Sequence, residues 1–253
     1  MMEFIYYIAF FILGSVLGSF YNVLGLRIPN NESIVYPSSH CPKCGHVLKW
    51  YELFPIFSFL FLGGKCKKCK EKISWLYPFN ELSCGLLFFI SYYSFGFSLE
   101  LIIALTLSSL LILVIASDMT YMIIPDRFTV ISAIIIIIVK LFSIGLKGTL
   151  IAVLYGILSF VLMYMIMKLG ELLFKKECLG GADIKLMFVV GLVLDPFMAL
   201  MVIVVASFIA LPSSMIIYFK NKEHVIPFGP FIVIGLLIIY FSKINIFDII
   251  NFL

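Results

Sequence analysis

Residues 99–117 read LELIIALTLSSLLILVIAS and carry one charged side chain, Glu100. This length is close to the ~20 apolar residues that a helix needs to cross the hydrocarbon core of a bilayer. The whole chain of 253 residues is 63% hydrophobic and 13% charged, whereas a soluble domain is about half apolar and about one quarter charged. The stretch therefore predicts a transmembrane helix, and the composition predicts several more.

Apolar blocks of similar length recur along the chain and predict an all-α integral membrane bundle of about eight transmembrane helices. The block at 183–195 is short for a span. The first block lacks the basic residues of a signal peptide and is too long for one, so we interpret it as an uncleaved transmembrane helix. The approximate bounds of the blocks are 4–26, 79–97, 99–117, 127–146, 149–169, 183–195, 197–219 and 229–250.

One long polar segment separates the first block from the second. It spans residues 27–78 and is rich in lysine, so the positive-inside rule places it in the cytoplasm. Eight spans then put both termini outside and the later polar loops inside. On this topology, Lys140, Lys147 and Lys243 are the outer ones among the 18 Lys and Arg. The chain therefore divides into a first helix (1–26), a cytoplasmic loop (27–78) and a membrane core (79–253).

Four cysteines form two C-x-x-C pairs within the polar segment, 21 residues apart. Each pair places two thiolates on one turn, and two such turns give the tetrahedral sulfur site of a structural zinc ribbon. Two disulfides are an alternative, although the cytoplasm is reducing; four unrelated thiols are another. His40 and His46 flank the first pair and could replace a ligand. The predicted ligands are Cys41, Cys44, Cys66 and Cys69.

Two aspartates at the edges of spans are the candidate catalytic residues, because carboxylates at such positions are costly and indicate function. The predicted topology puts Asp118 and Asp183 at the cytoplasmic ends of their helices, where they could meet. Two close carboxylates share a proton, so one acts as a base on water and the other as an acid. The alternatives are a solvated helix end for Asp118 and a helix cap paired with Lys185 for Asp183.

Three further acidic residues lie near span ends. Asp126 follows Pro125 and is interpreted as a turn or cap residue. Glu81 stands at the head of the second span, and Asp195 is assigned to an outer turn. None of the three is placed in the predicted pair.

Several motifs, in order along the chain, resemble those of the bacterial type IV prepilin peptidases. They begin near the N-terminus, continue through the two cysteine pairs and both aspartates, and end in the last polar loop. The match therefore covers residues 14–230. Ala182 stands where the family usually has glycine before the second aspartate. The segments are GSVLGSFYNV (14–23), CPKC (41–44), WYELFPI (50–56), CKKC (66–69), IS (73–74), YP (77–78), EL (81–82), Asp118 with IPD (124–126), GGADIK (180–185) and IPFGP (226–230).

The resemblance implies a function and a substrate. It implies an aspartic endopeptidase of the bacterial inner membrane, with Asp118 and Asp183 catalytic and the active site facing the cytoplasm. Its substrates would be prepilin or pseudopilin precursors with a basic leader. No nucleic-acid partner is expected, and the oligomeric state is not predicted.

The resemblance also implies a second activity. The zinc-ribbon loop favours the form that methylates the new N-terminus with S-adenosylmethionine. The sequence does not assign the site for this methyl donor; Gly14, Asn22 and Glu81 are the candidates.

Two other classes of protein are weighed against this interpretation. A transporter with a zinc-stabilised loop would be expected to show ionisable residues near the midplane and an internal repeat, and neither is visible in the sequence. An intramembrane aspartyl protease of the presenilin type is the second alternative. The ribbon loop and residues 14–23 argue against it.

Overall fold

The computed structural model of the protein describes residues 2–175, 180–220 and 227–243, and these residues form a helical bundle. A short 3₁₀ turn at Trp50–Glu52 precedes α2, and the described residues contain isolated β-bridges but no strand. The helices are α1 (Met2–Arg27), α2 (Phe57–Phe61), α3 (Leu76–Phe95), α4 (Leu99–Tyr121), α5 (Asp126–Phe174), α6 (Gly181–Val193), α7 (Pro196–Lys220) and α8 (Gly229–Ser242).

The chain is a multi-pass membrane protein. By length and composition, four of the described helices can cross a bilayer: α1, α4, α5 and α7. The shorter α8 is also apolar, and the predicted span at 229–250 continues into residues that lie outside the described part of the chain. The all-α membrane class is therefore confirmed, while the count of eight spans stays a prediction.

Helix α5 contains the predicted fourth and fifth spans. The two were expected as separate helices, but a single helix of 49 residues is assigned across both. At Gly145 the backbone leaves the helical region, with φ 70° and ψ 179°, and the axis kinks there. Glycine tolerates this conformation because it has no Cβ. The kink lies close to the predicted outer turn between residues 146 and 149.

Helix α4, which includes the stretch 99–117, is the centre of the bundle. Within its most apolar window 67% of the residues are buried, against 17% in the corresponding windows of α1 and α7. Its residues Leu107 and Val114 belong to one apolar core with Ile136 of α5, Met187 of α6 and Leu236 of α8. The outer helices leave apolar side chains exposed, as expected for surfaces that face lipid.

Helix α1 packs closely against α3 and α4 through glycines. A Cβ at Gly14 would lie 2.6 Å from the Cys84 carbonyl oxygen, and a Cβ at Gly25 would lie 2.4 Å from Ala116 Cβ. Small residues allow such close approach between membrane helices, where van der Waals packing stabilises association. Close packing against α3 therefore accounts for a glycine at position 14, which was a candidate for the methyl-donor site.

Candidate active site and metal centre

Asp118 lies in the last turn of α4, which continues past the predicted span end at Ser117 to Tyr121. The helix ends where Met122 adopts a left-handed conformation and its N–H donates to the Asp118 carbonyl oxygen. The Asp118 residue is 6% exposed. It is therefore not the solvated helix-end residue of the alternative interpretation.

Asp183 lies in the first turn of α6, which begins at Gly181 with Gly180 as its N-cap. The residue is 7% exposed. Lys185, its partner in the alternative interpretation, instead forms an ion pair with Asp126, with 2.5 Å between Lys185 Nζ and Asp126 Oδ1. Asp183 accepts the N–H of the N-cap Gly180, as a capping residue does, so the cap of the alternative interpretation is present. Its lysine partner is not, and the described residues supply no ion pair for this buried carboxylate.

Backbone N–H groups of two glycines hydrogen-bond the buried carboxylates. Gly229, the first residue of α8, donates to Asp118, and Gly180 donates to Asp183. A Cβ at Gly229 would lie 3.0 Å from Asp118 Oδ2 and 2.5 Å from Ile124 Cδ1. The missing side chain is therefore what lets this N–H approach the carboxylate.

The two carboxylates belong to one site. Helices α4 and α6 both pack against α8, and the charge of Asp118 acts on Asp183. Each carboxylate also has a glycine N–H as a hydrogen-bond donor. Paired-carboxylate hydrolysis requires two neighbouring buried acids of this kind.

Asp126 is the first residue of α5 and follows Pro125, the N-cap, in agreement with the predicted turn or cap. Its side chain is 64% exposed, and that of Lys185 is 48% exposed. An exposed pair of this kind contributes ~0–1 kcal/mol to stability. Asp126 therefore differs from the two buried aspartates in being exposed and paired with a lysine.

The four ribbon cysteines meet at one point. Their ligand atoms all lie within 4.8 Å of one another, and they could hold a metal ion. The Sγ atoms of Cys41 and Cys69 are 3.7 Å apart, and those of Cys44 and Cys66 are 3.9 Å apart. A disulfide requires about 2.05 Å. A tetrahedral zinc with Zn–S bonds of ~2.3 Å requires about 3.8 Å between sulfurs, so the geometry fits a metal and not two disulfides.

The two cysteine pairs sit on turns with the same hydrogen bonds. Cys41 N donates to His46 O at 2.9 Å, and Cys66 N donates to Glu71 O at 2.8 Å. In both turns the residue after the second cysteine is left-handed, Gly45 with φ 67° and Lys70 with φ 60°. This repeat brings both thiols of each pair to the same side of its turn.

Backbone N–H groups in both turns point at a thiol. Those of Cys44 and Lys43 lower the pKa of Cys41 to about 7. Those of Cys69 and Lys68 lower the pKa of Cys66. At these two cysteines the lower pKa favours the thiolate form, which is the form that binds a metal. The pKa of Cys69 is raised to about 12: the Glu71 N–H lowers it, but burial and the three neighbouring thiols raise it by more.

His46 is not part of the metal centre. Its Nε2 lies 3.2 Å from Oε2 of Glu52, a buried carboxylate of the ribbon. The N–H of Lys49 and, to a smaller extent, His46 lower the pKa of Glu52. The histidine therefore supports the fold of the ribbon next to the site. The group of described side chains that could hold a metal ion contains the four cysteines and neither His40 nor His46.

Sequence reasoning missed three residues around these sites. Gly229 was quoted only as part of a motif, although its position before Pro230 and after a polar loop fits a helix start. Asn80, fully buried in α3, was not singled out, although its neighbours Asn22 and Glu81 were candidates for the methyl-donor site. Lys185 was considered only in the alternative interpretation, as the partner of Asp183, and its ion pair with Asp126 was not foreseen.

The fold and the site define a class: polytopic membrane proteins with two buried aspartates at helix ends and a four-cysteine loop. Residues 12–95 match the bacterial peptidase A24 N-terminal domain, and residues 105–215 match the type IV leader peptidase family.

Three relatives from bacteria, each named prepilin leader peptidase/N-methyltransferase, are similar over long regions. The Bacillus subtilis (strain 168) protein is 36% identical over 91% of this chain and 92% of its own length. The Vibrio cholerae protein is 30% identical over 95% and 98%. The Myxococcus xanthus (strain DK1622) protein is 40% identical over 72% of this chain and 54% of its own length. No solved structure matches the chain significantly.

This chain therefore belongs to the type IV leader peptidase family. The resemblance predicted from the sequence is confirmed, and with it the expectation of a peptidase combined with an N-methyltransferase. Neither the transporter nor the presenilin-type alternative is supported by these matches.

Proposed function

We propose that this protein removes the basic leader from type IV prepilins or pseudopilins at the cytoplasmic face of the inner membrane and then methylates the new N-terminus. The observation that carries the peptidase half is the pair Asp118 and Asp183, buried on two helices with a glycine N–H on each carboxylate. The substrate class comes from the relatives, which are named prepilin leader peptidases.

In the proposed reaction one of the two aspartates is ionised and the other is protonated. The ionised carboxylate takes a proton from water as the water attacks the scissile carbonyl, and the protonated one gives its proton to the leaving amine. The N–H groups of Gly229 and Gly180 orient the carboxylates. Because neither glycine has a side chain, substrate backbone can approach both acids.

The expected position of Asp118 and Asp183 near the edge of the bilayer suits this substrate class. Asp118 lies in the last turn of α4 and Asp183 in the first turn of α6, so both stand at helix ends rather than at mid-span. In a prepilin the bond to be cut lies between a basic leader and an apolar helix. A leader held in the cytoplasm, with its helix in lipid, would present that bond at the edge of the bilayer.

Zinc is the metal that we propose for the ribbon. Four thiolates at sulfur–sulfur distances of 3.7 and 3.9 Å form a closed site of the structural type, with no position left for a substrate. Cys41, Cys44, Cys66 and Cys69 would hold the ion and thereby fix the loop at 27–78. S-adenosylmethionine is the proposed methyl donor, and it supplies an electrophilic methyl group when it is bound.

The proposed function is tested with purified protein and a prepilin in mixed micelles. The precursor should be shortened at a single position, between the leader and the apolar helix, as shown by N-terminal sequencing of the product. Folded, zinc-loaded protein that leaves several prepilins and pseudopilins intact would contradict the proposal.

Gly229→Ala should lower the rate of leader cleavage by at least about tenfold. The added methyl group would stand 3.0 Å from Asp118 Oδ2 and 2.5 Å from Ile124 Cδ1, so the carboxylate or the start of α8 must shift. The rate is measured on saturating precursor. Gly181→Ala is the matched control, because a Cβ there meets no atom within 4 Å; equal losses in both variants would contradict the role assigned to Gly229.

The proposed topology is tested by cysteine labelling of intact cells, in a background from which the native thiols have been removed or blocked. Positions 68 and 175 should be protected from an impermeant reagent, because the positive-inside rule places the lysine-rich loops in the cytoplasm. Position 147, near the kink of α5, should be labelled. Labelling of 68 or 175 from outside would overturn the proposed orientation and the cytoplasmic active site with it.

A further inference from the structure

A second buried polar cluster lies where the end of α1 crosses the start of α3. It consists of Ser19, Asn22, Asn80 and Glu81, and we call it the α1–α3 polar cluster. Asn22 is 3% exposed, Asn80 0% and Glu81 9%. The peptidase reaction uses none of these residues. Buried polar groups are costly unless they are paired, so this cluster requires an explanation.

The two asparagines leave one acceptor without a partner. Asn80 Nδ2 donates to Asn22 Oδ1 at 2.7 Å, and Asn22 Nδ2 donates to the Tyr77 carbonyl oxygen at 3.2 Å. Asn80 Oδ1 is buried and accepts no hydrogen bond from the described residues. A buried acceptor without a partner is destabilising and uncommon in native proteins. The cluster therefore calls for a hydrogen-bond donor that the described chain does not supply.

Glu81 leaves a charge without a partner. Its Oε2 accepts the Ile56 N–H at 2.7 Å, and its carboxylate also hydrogen-bonds the Ser19 hydroxyl. The ion pairs of the described residues do not include it. A buried carboxylate with neutral donors alone is costly, and a cation beside it would offset that cost. A group that is both a hydrogen-bond donor and a cation would satisfy both side chains.

The ribbon covers this cluster with a strained residue. Ile56 has φ 63° and ψ −53°, a conformation that a β-branched residue rarely adopts. Its N–H is the one that donates to Glu81. Residues held in such conformations cluster at functional sites, where the surrounding structure maintains the strain. The loop is therefore fixed over the carboxylate.

The cluster is close to the aspartate pair. Asn22 lies about one turn of α1, ~5 Å along the axis, before Gly25. Gly25 packs directly on Ala116, two residues before Asp118. With helix axes 8–10 Å apart, the two sites are roughly 10–15 Å from each other. A chain end released at the aspartates would have a short distance to travel.

We propose that the α1–α3 polar cluster binds the α-ammonium group of the newly cut chain and that Glu81 is the catalytic residue that accepts a proton from it. Asn80 Oδ1 accepts a second hydrogen of the same group. This inference rests on the proposed methyltransferase activity and names the residues that carry it.

The proposed step balances in atoms and charge. The ammonium gives one proton to the Glu81 carboxylate and becomes a neutral amine with a free electron pair. That pair attacks the methyl carbon of the sulfonium donor, and the carbon–sulfur bond breaks with its electrons going to sulfur. The products are a methylated secondary ammonium and a neutral thioether, and the proton on Glu81 is released to water.

Glu81→Gln should lower the rate of N-methylation by about 10²-fold and leave leader cleavage and zinc content little changed. Glutamine can still accept the Ile56 N–H, so the loop keeps its contact, but it cannot accept a proton. Both rates are measured by intact mass, on the precursor for cleavage and on a peptide that begins at the mature N-terminal phenylalanine for methylation. Glu81→Asp, which keeps the charge, should restore part of the methylation rate.

A binding measurement without the donor separates a ligand role from a structural one. The mature N-terminal peptide should bind unsubstituted enzyme at least about tenfold more tightly with a free amine than with an acetylated one. This preference should be lost in Glu81→Gln. Glu71→Gln is the control: it removes the same charge from the ribbon surface, where Glu71 pairs with Lys43, and should preserve both activities and the preference.

The inference would be overturned if Glu81→Gln methylates at an undiminished rate, or if it keeps the preference for the free amine. The cluster would then be a structural link between the ribbon and the helical bundle. Equal loss of cleavage and methylation would overturn it as well. If the unsubstituted enzyme cleaves but does not methylate, the methyltransferase half of the proposed function fails, and the inference fails with it.

Discussion

Asp118→Asn and Asp183→Asn should each lower the rate of leader cleavage by at least ~10²–10⁴-fold, the usual contribution of general acid–base catalysis. An amide has nearly the shape of the acid but cannot exchange the proton that activates water. Both side chains are buried, and each is hydrogen-bonded by a glycine N–H. The rate is measured on saturating prepilin with protein that is shown to be folded and zinc-loaded.

Asp126→Asn is the matched control for this pair. It makes the same chemical change a few residues from Asp118, but at an exposed ion pair with Lys185. Its effect on cleavage should be mild. An equal loss would contradict the choice of Asp118 over Asp126 as the partner of Asp183. Methylation of a peptide that is already cut should survive both dyad substitutions, because methyl transfer does not need the water-activating pair.

Cys44→Ser or Cys66→Ser should reduce the zinc content from about one ion per chain to nearly none and unfold the loop at 27–78. Four thiolates close the site, and the apparent binding free energy of such sites, ~10–16 kcal/mol in zinc-finger peptides, is also folding free energy. The ribbon has little else to hold it, since its regular structure is limited to short turns, α2 and isolated bridges. Elemental analysis and limited proteolysis measure the two effects.

Cys84→Ser serves as the control for the zinc prediction. Cys84 is fully buried in α3 and lies outside the group of four clustered thiols. Its replacement should leave the metal content unchanged. Carefully prepared unsubstituted protein without zinc would remove the claim, and so would a ribbon that resists protease equally well after Cys44→Ser.

The parts of the fold that could be predicted from the sequence are those determined by residues close together along the chain. The stretch 99–117 is expected to be a helix in lipid, because only a helix makes all the backbone hydrogen bonds within one segment. The two C-x-x-C pairs predicted the cysteine cluster, since their spacing alone puts the thiols on turns. Asp118 and Asp183 were marked by the cost of placing carboxylates at span ends.

What could not be predicted depends on contacts between distant segments. The alternative interpretation paired Lys185 with Asp183, two residues away, but Lys185 pairs with Asp126 on another helix. The N–H of Gly229 reaches Asp118 from across the bundle. The hydrogen bond from Asn80 to Asn22 depends on the packing of α1 against α3. In each case the spacing along the chain carries no information about the partner.

The central claim is that one membrane protein cuts a prepilin with its aspartate pair and then methylates the product. The most direct measurement is the intact mass of a prepilin after incubation with purified enzyme, with and without S-adenosylmethionine. Enzyme alone should remove the mass of the leader, and the donor should add the mass of one methylene group to the cut product only. A precursor whose mass stays unchanged with the unsubstituted enzyme, or that is shortened equally well by Asp183→Asn, would contradict the account.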